Sequence, residues 1–142
     1  MEKRSSGENN MLIVLDTQAW LWWLHDPTKL SPKASKCIKS AEKNNAIRVS
    51  VISIWEIATK QAFGKLVLPI DIVQWFEQAN SYPGVIIEPL LPADAIGSTR
   101  LPGVFHKDPA DRIIVTLARR LNAGLVTSDR LIQTYPHVKT VW

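Results

Sequence analysis

"MLIVLDTQAWLWWLHD", residues 11–26, decides how the chain is read. Its first five residues are apolar and end on an acid, Asp16. The run is too short to be a helix and suits a strand buried on both faces. From Thr17 the spacing turns helical and stops at Asp26, before Pro27. A strand closed by an acid and followed at once by a helix is the opening of a β-α-β unit.

The pattern repeats outward from there. "SPKASKCIKSAEKNN" (31–45) reads as a helix with Ser31 as its N-cap and Pro32 at its first position. "AIRVSV" (46–51) is a short strand and "ISIWEIATKQAF" (52–63) a helix stopped by Gly64. "KLVLP" (65–69) is extended. "DIVQWFEQAN" (71–80) is an amphipathic helix capped by Asp71, "VIIEPL" (85–90) a third strand and "PADAIGSTRL" (92–101) a short helix. "PADRIIVTLARRLNA" (109–123) is the strongest helical pattern, closed by Gly124. "LVTSD" (125–129) and "VKTVW" (138–142) supply the last strands. Short apolar strands alternating with helices specify an α/β fold, with a central parallel sheet of four to five strands flanked by helices in three layers. In such sheets the functional crevice lies at the carboxyl ends of the strands.

The totals narrow the function classes. A chain of 142 residues is one domain, here residues 11–142 after a polar N-terminal tail, 1–10, with Met11 as an alternative start. The tail lacks the apolar core of a secretion signal. No apolar run approaches the roughly 18 residues that span a bilayer, so no membrane partner is expected. Cys37 is the single cysteine, which excludes a disulfide framework and a thiolate metal site and fits a cytoplasmic address. Net charge is +4, a mild hint of a polyanionic partner.

The acids carry the chemistry. Asp16 closes the first strand and Asp129 the fourth, so both project to one edge of the sheet. Each also has a plain structural reading as a helix cap; Ser128 offers an alternative cap beside Asp129. In "DPAD", Asp108 is the N-cap, Pro109 the first helical residue and Asp111 the third, close to a capping box. Asp111 shares its helical face with Ile114, Val115 and Ala118, the core stripe, while Arg112, Thr116 and Arg119 take the wet side. A carboxylate on the core stripe is costly unless a cation compensates it. Glu56 sits on a mixed face and reads either as a site acid or as a surface partner of Lys60. Clustered carboxylates without Cys or a His pair point to Mg²⁺ or Mn²⁺, and an acidic pocket in a basic protein suits a phosphodiester substrate.

These blocks together resemble the PIN-domain family, and within it the VapC toxins of toxin–antitoxin pairs. "LDTQAWLWWL" is similar to the family's opening strand and helix, and "VSVISIWEIATKQAFGKLVLP" to its Glu-bearing helix. "HKDPADRIIVTLARR" resembles its third-acid helix and "LVTSDRLIQTY" its fourth-acid turn. The resemblance implies a PIN-like fold and a metal-dependent endoribonuclease toxin that hydrolyses RNA by a metal-activated water. Asp16, Glu56, Asp111 and Asp129 match the catalytic and metal-binding positions, with Mg²⁺ or Mn²⁺ as cofactor. It also implies a VapB-like antitoxin that covers the acidic cleft, and a homodimer.

The other features have quieter readings. Trp20 and Trp23, three apart, are expected in the core, and Trp22 is the interface candidate. His25, His106 and His137 show no ligand spacing; His106 reads as a loop residue or as a group near the substrate phosphate. Arg112 and Arg130 each follow a proposed ligand and read as substrate contacts or as surface charge. A catalytically inactive RNA-binding or regulatory module is the alternative function, in which the acids only cap helices. A receiver-like phosphoacceptor does not fit, because Asp16 has no acidic neighbour and "LVTSD" has no lysine.

Overall fold

Ile13, Val14 and Leu15 form the central strand, β1, and all three are buried. They face alternately: Ile13 and Leu15 pack into one apolar cluster, Val14 into another. This is the period-two geometry of a strand covered on both sides. A computed structural model describes residues 11–142; the polar start, residues 1–10, lies outside the described residues.

After β1 (Ile13–Leu15) come α1 (Thr17–His25), a 3₁₀ turn at Pro27–Lys29, α2 (Pro32–Lys43), β2 (Ile47–Ser50) and α3 (Val51–Ala62). Then follow α4 (Ile72–Asn80), β3 (Val85–Glu88), α5 (Pro92–Gly97), α6 (Pro109–Leu121), β4 (Gly124–Val126), α7 (Arg130–Gln133) and β5 (Thr140–Val141). The five strands are all parallel, in the order β3-β2-β1-β4-β5. Ile13 aligns with Ile47 on one side and Gly124 on the other. The chain winds from β1 out to β3, then returns past β1 to lay down β4. That reversal opens a crevice at the carboxyl ends of β1 and β4.

Helices cover both faces. Trp20, Ala34, Ile38, Ile57 and Trp75, from α1 to α4, pack on one side. Ile114, Val115, Leu117, Ala118 and Ile132, from α6 and α7, pack on the other. Trp20 is fully buried and meets Trp75 edge-on, with ring centroids 5.2 Å apart. The expected caps are present: Ser31 Oγ accepts the Ala34 N–H at 3.0 Å and Asp71 Oδ2 accepts that of Val73 at 3.1 Å.

Several expectations are corrected. α6 stops at Leu121, because Asn122 takes the left-handed cap (φ 52°) that the sequence reading gave to Gly124. Gly124 instead starts β4. The last strand shrinks to Thr140–Val141. Trp22, the interface candidate, is half-buried, its ring 5.8 Å from that of the terminal Trp142. Trp23 is half-buried at the edge of the core, packed against it with its ring 5.3 Å from that of Tyr82. The exposed one is Trp55, at 59%.

Candidate active site

Asp16 follows the last residue of β1, where the strand turns into α1. Its Oδ1 accepts the Ala19 N–H at 2.8 Å, so it is the N-cap of α1 as well as a strand-end acid. Asp129 stands after β4 and caps α7, accepting from the Leu131 N–H at 2.8 Å. Asp108 caps α6 through the Asp111 N–H at 3.0 Å. Glu56 lies in the second turn of α3. The crevice between β1 and β4 therefore receives acids from four separate stretches of chain. Asp16, Glu56, Asp111 and Asp129, together with Asp108 and Lys60, line one pocket of about 380 Å³, within the range of ligand-sized sites. Glu56 makes no ion pair with Lys60 among the described residues; its carboxylate accepts from the Thr17 hydroxyl instead.

The electrostatics match the crowding. Burial, with added repulsion from Asp129 and Glu56, pushes the Asp16 carboxyl up to about 6, against hydrogen bonds from Thr127 and the Ala19 backbone that lower it. Burial pushes the Asp111 carboxyl up to about 7, with repulsion from Asp108, Asp129, Glu56 and Asp16 adding to it. Like charges raise one another's pKa when no cation intervenes. Among the described residues no three acid, histidine or cysteine side chains converge tightly enough to grip an ion as they stand. The pocket gathers the acids without closing them into a cage. The donor set is all carboxylate oxygen, which fits a hard dication such as Mg²⁺ or Mn²⁺ and no soft metal.

Thr17 and Ser53 join the site without having been assigned to it from the sequence, and His106, read there as a loop residue or a group near the substrate phosphate, lies beside Asp111. The Thr17 hydroxyl donates to Glu56 Oε1 and lies 2.8 Å from Ser53 Oγ. A hydroxyl has one proton, so the Ser53 hydroxyl is the donor in that second pair. Ser53 and Glu56 are one helical turn apart, and Thr17 follows Asp16; that spacing was the available signal. His106 brings its Nε2 to 3.2 Å from Asp111 Oδ2. The distance is short but the alignment is poor, and Nε2, shut off from solvent, is left without an aligned partner among the protein groups.

The PIN domain family profile matches residues 13–137. The chain is 32% identical over 133 residues to Ribonuclease VapC22 of Mycobacterium tuberculosis, covering 92% of this chain and 98% of that one. Among solved structures it is similar to VapBC2 from Rickettsia felis bound to a promoter DNA fragment, with a TM-score of 0.67 at 18% identity, over 92% of this chain and 97% of that one. It is also similar to a toxin–antitoxin complex from Klebsiella pneumoniae, with a TM-score of 0.58 at 17% identity, over 89% and 94%.

Proposed function

Because the chain belongs to the PIN-domain family, we infer that it is a ribonuclease of the VapC toxin type, a hydrolase of RNA phosphodiester bonds. One observation carries this reading: four acids from distant segments share one pocket, in a chain that aligns almost end to end with a ribonuclease.

We propose that Asp16, Glu56, Asp111 and Asp129 are the catalytic acids and hold Mg²⁺ or Mn²⁺. A bound dication of this kind polarises a phosphoryl oxygen and lowers the pKa of water. The chain's own groups do the rest. Thr17 fixes the Glu56 carboxylate, and the Ala19 N–H fixes that of Asp16. Lys60 is the one cationic side chain lining the pocket among the described residues, and it pairs with a phosphate of the RNA backbone.

A VapB-like antitoxin and a second copy of this chain are the partners that go with this reading. Relatives solved as toxin–antitoxin complexes support the first. Trp55 and Phe63, exposed on and just beyond the Glu56 helix, support a covered surface there. Among the described residues no helix is long and apolar enough to cross a membrane. A cytoplasmic setting belongs to the proposal, since the RNA substrate is there.

The test is cleavage of RNA by the purified chain with Mn²⁺ or with EDTA, beside Asp16→Asn and Asp111→Asn. The parent cleaves with Mn²⁺ alone and both variants lose at least about 100-fold in rate. Equal rates in parent and variants overturn the reading, and RNA binding without cleavage by the parent favours the regulatory module. Light scattering reads the number of copies.

A further inference from the structure

Asp111 and Arg112 are neighbours on α6 with opposite surroundings. Asp111 lines the pocket. Arg112, expected on the wet face, is half-buried instead and makes no ion pair among the described residues. Its guanidinium is occupied by backbone. Nε donates to His106 O at 2.9 Å, Nη1 to Ser98 O at 3.0 Å and Nη2 to Phe105 O at 2.8 Å. The three carbonyls come from the end of α5 and from the loop that precedes α6. A guanidinium presents its N–H donors in one rigid plane, so a single side chain fixes the relative position of both stretches.

The stapled loop is the one that carries His106. Phe105 anchors it from the other side. It is buried, its ring 4.7 Å from that of Tyr135, and the Tyr135 hydroxyl donates to Pro102 O. The loop has no regular structure of its own and is held by these contacts. Its product is the placement of His106 Nε2 at 3.2 Å from Asp111 Oδ2, buried and without an aligned partner. At that separation the two atoms are within hydrogen-bonding distance of one another. Groups that hydrogen-bond a ligating carboxylate set its orientation, and their loss typically weakens metal binding 10–100-fold.

We infer that Arg112 is a positioning residue: by fixing the backbone of Phe105 and His106 it holds the His106 imidazole against Asp111, so that this carboxylate meets the pocket in one orientation. The inference rests on the reading of the four acids as a metal site. A loop staple without that purpose leaves a different signature. Removing it lowers the melting temperature and leaves Mn²⁺ affinity alone.

The experiment titrates Mn²⁺ into the RNA-free full chain, by calorimetry and by thermal melting. It compares the parent, Arg112→Lys, His106→Ala, His106→Gln and the double variant Arg112→Lys/His106→Ala. Arg112→Lys keeps the charge but loses the planar fork. It and His106→Ala are each expected to weaken Mn²⁺ affinity roughly 10–100-fold, and the double variant to be no weaker than the worse single one. His106→Gln, which keeps an N–H donor, recovers most of the affinity. Where Arg112→Lys fails to fold, the His106 pair still decides, because those variants leave the staple in place. Parental Mn²⁺ affinity in His106→Ala, or losses that multiply in the double variant, overturn the inference while the metal site stands. A parent that binds no Mn²⁺ overturns both.

Discussion

Thr17 and Glu56, 39 residues apart in sequence, are joined by a hydrogen bond from the Thr17 hydroxyl to the Glu56 carboxylate. That contact ties the start of α1 to the second turn of α3 at the wall of the acidic pocket. Thr17 is buried and accepts a second bond from Ser53, so its one proton is committed to Glu56.

Thr17→Val keeps the shape and removes the donor. A hydrogen bond to a charged group contributes about 1.5–3 kcal/mol, and urea unfolding should show a loss of that order. RNA cleavage should fall about tenfold or more as Glu56 loses its orientation. Thr17→Ser should retain both. An unchanged Thr17→Val protein would mean that Glu56 is held by something else.

The metal-free protein should lose stability as pH rises from about 4 to 7. Asp16 and Asp111 bind their protons more tightly in the native state than in the unfolded chain, where a carboxyl titrates near 3.8. The native state therefore carries more protons within that window, and stability falls with each pH step. For the deeply buried Asp16 the full effect is on the order of 3 kcal/mol. Melting curves in EDTA check this, and Asp16→Asn should flatten the profile. A melting temperature that climbs between pH 4 and 7 would contradict it.

Mn²⁺ should act with the opposite sign. Protons and the ion compete for the same carboxylates, so stabilisation by millimolar Mn²⁺ should be slight at pH 5 and complete by pH 8. Differential melts at the two pH values read it directly. Equal shifts at both values would place the bound ion elsewhere on the protein.

Arg120 should matter for folding and not for the site. Its Nε and Nη2 grip the buried Asp94 carboxylate at 2.7 and 3.0 Å. Arg120→Ala strands that carboxylate and should cost about 3 kcal/mol in urea unfolding. The response to Mn²⁺ should match the parent's, because Asp94 lies outside the acidic pocket. A weakened Mn²⁺ response would join the two regions energetically.

The sequence disclosed the parts of the site that local rules govern. Asp16 was legible because an apolar run ended on it, and Asp111 because a 3.6-residue period set it on the core stripe. Arg112 was misread for the same reason that Asp111 was read well. Periodicity assigns a face of the helix, but it is blind to the loop before α6 folding back over that face. The half-burial of Trp22 was not legible because burial on a helix depends on what arrives later, here Trp142 beside Trp22. Asn122 displaced Gly124 as the helix stop because asparagine also tolerates a left-handed backbone, which left the glycine for the strand opposite Ile13.

Asp16 and Asp129 each begin a helix with the oxygen of a carboxyl group that also faces the pocket. An asparagine at either position still offers that oxygen to the backbone, so the charge can be removed without unseating the helix. Under the proposed function, a disarmed copy that keeps its architecture would serve as bait for uncleaved RNA and for an antitoxin.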